Sequence, residues 1–317
     1  MPVDRRRRRI AIYGRLPSMK SDLALERLGG VADIAALLQL TSRARVRVAV
    51  RRGTVVKDGP GRYSLPGVEG ATRAANRLSG VLVEDSAAQY YGWAMKLPPR
   101  SPCLAVPRNR NVAEHRRRGL RVRFVNMAAE DVNKMATCPG RTVTDCSARM
   151  PFDEALSVAD SALRGRDVNR SDLIRRAEAM PDRYRARCLR VARAASEQAA
   201  NPFESVLRAI ALDVVGLAVE PQVWVDDIGR PDLVDQRLRL VAEADSFEFH
   251  GRRRALTKDC ERYNAFVIAG WLVIRFAWEH VMFEPDYVRQ VLTSMVALLS
   301  GQPIERALAS DQPTRAA

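Results

Sequence analysis

Five side chains in the last third of the chain are of types that could carry hydrolytic chemistry: Glu204, Asp232, Glu243, Asp245 and His250. If 238–245 is a strand, residues two apart share a face. Leu238, Leu240, Ala242 and Ala244 then line one side and Val241, Glu243 and Asp245 the other. Two carboxylates emerge at the end of an otherwise apolar strand, where Asp232 of a neighbouring strand can join them. Carboxylates this close raise one another's pKa unless a cation lies between them, and hard oxygen donors suit Mg²⁺ or Mn²⁺. Asp232, Glu243 and Asp245 are therefore the expected metal ligands, and a purely structural acidic cluster is the plainer alternative. His250 is a candidate general acid or base, and Lys258 with Arg252, Arg253 and Arg254 could hold a phosphate or stabilise developing charge. Glu204 has two readings, a site residue or the N3 glutamate of a helix that opens with Asn201 as cap and Pro202 at the first turn.

The elements that must position these groups are legible in outline. A helix is expected from 202 to about 215, strands over 222–225, 230–234 and 238–245, a turn at 226–229 and a helix through Phe266 that stops at Gly270. A buried strand over 271–276 and a last helix over 285–299 complete the region. Upstream, 152–163, 170–179 and 183–195 read as helices of a connector. Between 71 and 149 the pattern is mixed, with a helical stretch over 86–92, strands over 103–107 and 120–124, and arginines at 108, 110 and 116–118. His115 sits among these arginines without an assigned role.

Charge divides the chain. Residues 1–196 hold 39 Lys and Arg against 19 Asp and Glu, and the remainder 13 against 18. So basic a first part attracts polyanions, of which nucleic acid is the commonest, although an arginine-rich composition or ribosome contact gives the same balance. After the arginine run 5–9, read as a solvated arm, short helices are expected over 22–28, 31–38 and 42–52. The third carries Arg43, Arg45, Arg47, Arg51 and Arg52 interleaved with valines. It is followed by a hairpin, 54–57 and 62–65, closed by a glycine turn. Three helices and a hairpin fit a winged helix-turn-helix with those five arginines and Arg62 as DNA-binding residues. A small helical bundle with a solvated arginine face is the alternative.

No run of 18 apolar residues and no signal peptide is present, so a cytoplasmic protein without a membrane partner is expected. The five cysteines lack CxxC spacing and read as buried thiols rather than a disulfide framework or zinc site.

Two resemblances follow from these motifs. The order Glu204, Pro231-Asp232, Glu243-x-Asp245, His250, Asp259-x-x-Arg262, Gly270-Trp271-x-Val273-x-Arg275-Phe276 and Trp278-Glu279 resembles the domain-of-unknown-function 559 family. That family is similar to the very short patch repair endonuclease of the PD-(D/E)xK superfamily. The resemblance implies that Asp232 is the core metal ligand, that Glu243 and Asp245 complete or flank the site, and that Glu204 is the helix-borne acid. It also implies that His250 matches the repair enzyme's second histidine. The superfamily lysine is replaced by Asp245, a role that Lys258 or an arginine of the next helix could fill. The N-terminal half is similar to the AbiEi antitoxin and regulator family through Gly29-Gly30-Val31, Arg51-Arg52-Gly53, Gly61 to Gly67 and Arg141 to Asp145. The arginine and alanine richness suits a high-GC actinobacterial source.

The expected fold is mixed α/β. A winged helix over 1–70, a mixed and then helical connector over 71–198, a restriction-endonuclease-like α/β domain with a central mixed sheet over 199–300 and a disordered tail over 301–317 make up the chain. The expected function is a Mg²⁺- or Mn²⁺-dependent DNA endonuclease positioned by the winged helix. The alternative is a DNA-binding transcriptional regulator, antitoxin-like, with a catalytically silent nuclease fold. RNA processing is a third reading. DNA is the expected partner, with a homodimer and a protein encoded nearby as further candidates.

Overall fold

The computed structural model describes residues 19–245 and 253–301, with side chains assigned except at 253–256. His250, Arg252, the arginines at 5–9, the side chains of Arg253 and Arg254, and the tail from 302 lie outside what is described. The fold is mixed α/β, in two compact units: Met1–Leu82 with Ser101–Thr137, and Val83–Arg100 with Cys138–Ala317. The segment 71–198 thus contributes to both.

The first unit begins with α1 (Ser21–Arg27), β1 (Val31–Asp33), α2 (Ile34–Leu38) and α3 (Arg43–Arg51), followed by the hairpin β2 (Val56–Gly59) and β3 (Arg62–Ser64). The helix expected over 31–38 is shorter than its pattern suggests. Gly29 and Gly30, both at φ +86°, end α1, and Val31 pairs instead with Ser64 of the hairpin. A strand whose partner lies thirty residues away leaves no local periodicity to read. Asp33 then caps α2, its carboxylate accepting from the Ala36 N–H at 2.8 Å. The result is an antiparallel sheet in the order β1-β3-β2 against three helices, sealed by Leu25, Leu37, Val46, Ala49 and Val55.

The chain continues through α4 (Gly70–Leu78) and β4 (Val81–Leu82), leaves through α5 (Glu84–Tyr90), and returns as β5 (Cys103–Val106), α6 (Glu114–Arg117), β6 (Arg121–Phe124), β7 (Val132–Asn133) and β8 (Ala136–Thr137). These strands form a second sheet in the order β6-β5-β4-β8-β7, covered by α4 through Leu78, Leu104 and Val106.

The second unit holds α5 with α7 (Pro139–Arg149), α8 (Phe152–Arg164), α9 (Arg170–Glu178) and α10 (Asp182–Ala194) around a core of Leu156, Val158, Leu173, Cys188 and Val191. The connector of the sequence reading is a helical bundle with its own interior. Helix α11 (Pro202–Ala211) packs on α8, and a buried ion pair joins them: Arg208 meets Asp160 at 2.5 Å, with side chains 4% and 0% exposed. The Asp160 carboxylate also accepts the Ser196 N–H at 2.8 Å. Helix α11 ends at Ala211 rather than near 215, because the Asp213 and Val214 N–H groups bond three residues back.

The remaining elements are β9 (Glu220–Pro221), β10 (Leu233–Asp235), β11 (Leu240–Asp245), α12 (Arg253–Ile268), β12 (Leu272–Ala277), α13 (Trp278–Phe283) and α14 (Pro285–Leu299). The sheet order is β12-β11-β10-β9, with β11 and β12 parallel and β10 antiparallel to both neighbours. One face packs Leu233, Ala242 and Phe276 against α11, α13 and α14, and the other packs Val234 and Val241 against Phe266 of α12. No strand spans 222–225, where only a single bridge joins Val225 to Gly229. Gln222 and Asp226 adopt φ +55° and +46°, which turns the chain away from extended geometry. Strand β10 starts after Pro231, which has no N–H for a ladder. The cysteines are all free thiols, but of the five expected to be buried Cys138 is only half-buried and Cys260 is exposed.

Candidate functional site

On α3 the two inward positions, Val46 and Ala49, fix which arginines face out. Arg43, Arg47 and Arg51 recur every four residues, so they form one stripe, and all three are exposed. With exposed Arg52 they have no hydrogen-bond or ion-pair partner among the described residues. Two other expected contacts are engaged within the chain. The Arg45 guanidinium donates to the Met19 carbonyl at 3.2 Å, and Arg62 lies 3.6 Å from the Asp33 carboxylate. A groove of 500 Å³ between α3 and the hairpin is lined by Arg47, Val48, Arg51, Lys57 and Tyr63. Lys57, which the sequence reading did not single out, joins the arginines because β2 folds back beside α3.

The acidic residues come together in the second unit. The β10–β11 register continues outward to set Asp232 opposite Glu243. Asp232 accepts the Ala244 N–H at 2.8 Å and the Gln222 side-chain amide at 3.0 Å. The same amide lies 3.2 Å from Glu204, so Gln222 links α11 to the sheet. Glu204 meanwhile closes a capping arrangement: it accepts the Ala200 N–H and the Asn201 amide, both at 2.8 Å, while Asn201 accepts the Glu204 N–H at 3.0 Å. The capping reading of Glu204 therefore holds, and the Gln222 amide links the same carboxylate to Asp232.

Burial raises all three of these carboxyls. Glu204 is pushed up to about 7 by desolvation and then by the Asp232 charge. Glu243 is pushed up to about 8 by desolvation and then by Asp232, with Arg262 opposing, and Asp232 is raised chiefly by desolvation.

Cations complete the cluster. Arg262 on α12 stands 3.0 Å from Glu243, and Arg275, whose backbone is in register with Glu243 on β12, pairs with Asp245. Both guanidiniums lie over the Tyr263 ring, at 5.0 and 4.2 Å. Lys258 is exposed one turn before Arg262 and has no partner among the described residues. Of the cations expected on this helix, Arg262 reaches the carboxylates and Lys258 does not. Gln222 left no signal in the sequence, because its role depends on a left-handed backbone turn.

The cluster does not fit a three-carboxylate metal centre as it stands. Among the described residues no group of three His, Cys, Asp or Glu side chains is placed to hold an ion. Asp232 and Glu243 offer oxygen donors side by side, whereas Asp245, the third expected ligand, is turned to Arg275.

Residues 78–191 match the AbiEi antitoxin C-terminal domain family. The AbiEi-like segment runs from the end of α4 into α10 and thus includes the five-stranded sheet and most of the helical bundle. Two uncharacterized proteins of Mycobacterium tuberculosis, MT2308 of strain CDC 1551 and Rv2248 of strain H37Rv, are each 24% identical over 267 residues, covering 77% of this chain and 93% of theirs. The crystal structure of the RV2827C protein from the same species aligns with 61% of this chain and 79% of its own, at 16% identity and a TM-score of 0.33, too low to support a statement about fold. Among the described residues no helix is long and apolar enough to cross a membrane.

Proposed function

We propose that the protein is a DNA-binding regulator of the antitoxin type. The AbiEi match over 78–191 carries this reading, and the basic module preceding it supplies the means. In this reading the first unit's three helices and hairpin act as a winged helix, and α3 enters the major groove. Positions 43, 47 and 51 rise about 6 Å per step along the helix. Arg43 and Arg47 can then meet guanine edges or phosphates in sequence, while Arg51, Arg52 and Lys57 hold the backbone. A toxin is the protein partner that such a regulator would engage. The test is fluorescence anisotropy with duplexes from the region upstream of the protein's own gene. Arg47→Gln is expected to weaken binding by about 1–3 kcal/mol if Arg47 reads a base, and Arg45→Gln to do much less. Unchanged binding in Arg47→Gln would remove α3 from the interface.

One observation favours a second reading, a nuclease-like C-terminal domain. Asp232 and Glu243 lie side by side at strand ends with Glu204 tied to Asp232 through Gln222. For a metal-dependent endonuclease, Arg275 would have to release Asp245 before a third oxygen donor exists. Incubation of supercoiled plasmid with wild-type and Asp232→Ala protein, in Mg²⁺, Mn²⁺ or EDTA, separates the readings. Metal-dependent nicking lost in the variant establishes the nuclease, and intact plasmid with DNA still bound establishes the regulator.

A further inference from the structure

We infer that the cleft between the β2–β3 hairpin, α4 and the turn before β6 is a second phosphate-binding site, which takes the DNA backbone flanking the segment read by α3. The inference rests on the DNA-binding reading. The cleft measures 440 Å³ and is lined by Lys57, Asp58, Arg73, Arg77, Gly119 and Leu120. Its one carboxylate is already committed. Asp58 accepts from the Ser64 hydroxyl at 3.0 Å, from Arg73 Nε at 2.9 Å and from the Asn76 amide at 2.8 Å. Arg73 is correspondingly satisfied, which leaves Lys57 and Arg77 as uncompensated charge.

Arg77 is the sharper observation. Its Nε is buried and has no hydrogen-bond partner, although the residue as a whole is only half-buried. A guanidinium N–H withdrawn from water without an acceptor is costly; a phosphate in the cleft would meet the remaining N–H groups of this half-buried guanidinium with charge-assisted bonds and offset that cost. Its surroundings are close: the hairpin packs against α4 so that a Cβ at Gly59 would lie 3.4 Å from Arg77 Cγ, and the Arg116 guanidinium donates to the Arg77 backbone carbonyl at 3.1 Å. At the mouth, Gly119 at φ +72° presents no side chain, and a Cβ there would meet nothing within 4 Å.

The occupant follows from continuity with the proposed interface. Lys57 lines this cleft and also the groove against α3, so the two are separated only by the hairpin strand that bears it. A phosphate chain crossing the hairpin meets Arg47 and Arg51 on one side and Arg77 on the other.

The experiment is equilibrium binding of the full chain to labelled duplexes over a range of salt. Arg77→Gln and Lys57→Gln are each expected to weaken binding several-fold and to reduce the slope of log K against log salt by about 0.9, one phosphate, without changing sequence preference. A duplex shortened on the cleft side should bring wild-type affinity down to that of Arg77→Gln. Lys57 also faces the α3 groove, so the variant specific to the cleft, should Arg77→Gln fold poorly, is Gly70→Glu: Gly70 is exposed on the cleft wall, a Cβ there meets nothing within 4 Å, and the added carboxylate repels a phosphate. Wild-type affinity in Gly70→Glu, together with indifference to the flanking duplex, would overturn the inference while leaving α3 binding in place. Failure of the wild-type protein to bind any duplex would overturn the DNA-binding reading with it.

Discussion

Glu204 and Glu243 show how one substitution can report on the whole acidic cluster. Both have pKa values raised above their ordinary value of 4.5, to about 7 and about 8. The native state therefore binds these protons more tightly than the unfolded chain does. Their contribution is fully present below pH 4.5 and is lost as pH rises through the folded values, so stability should decline between pH 5 and 8. Urea unfolding in EDTA should show this decline in the wild type and a shallower one in Glu243→Gln, which cannot ionise. Parallel profiles would mean that the carboxyl is not held protonated. The same cluster shows the limit of residue types as evidence. Glu243 and Asp245 were legible as neighbours from alternation alone, but their pairing with Arg262 and Arg275 depends on α12 and β12, which follow later in the chain.

At the scale of elements, two contacts hold segments that local sequence does not join. Arg208 and Asp160 connect α11 to α8 with almost no solvent access. Removing one partner strands a buried charge, so Arg208→Met should cost about 3–5 kcal/mol, measured by chemical denaturation. A loss below about 1 kcal/mol would mean that water reaches the pair. Gly80 lies where β4 meets β5, and a Cβ there would fall 2.7 Å from the Ala105 carbonyl oxygen, a rigid backbone atom. Gly80→Ala should therefore destabilise by about 1–3 kcal/mol as the strands separate. The short β1 belongs to the same lesson: Val31 to Asp33 read as helix because the hairpin that recruits them is distant in sequence.

At the scale of the molecule, the two units have separate interiors, the first with a cluster around Leu25, Leu37 and Val46, the second with one around Leu156 and another around Val206 and Phe276. Leu37→Ala should cost about 2–5 kcal/mol. If the units melt independently, calorimetry should resolve two transitions, the first unit's lowered by Leu37→Ala and the second unit's by Arg208→Met. One transition shifted equally by both variants would show that the units unfold together.

The mixed α/β class, the arginine-bearing helix ahead of a hairpin, the Asn201 cap and the carboxylate-bearing strand were all determined by the sequence itself, because each rests on periodicity or capping within a few residues. Only the tertiary structure decided which arginines remain free, since Met19 and Asp33 take Arg45 and Arg62. It alone placed Lys57 beside α3, Gln222 between Glu204 and Asp232, and guanidiniums beside Glu243 and Asp245. The physical reason is common to these cases: a side chain's type is local, whereas its charge balance and hydrogen-bond partners come from whatever the fold packs against it.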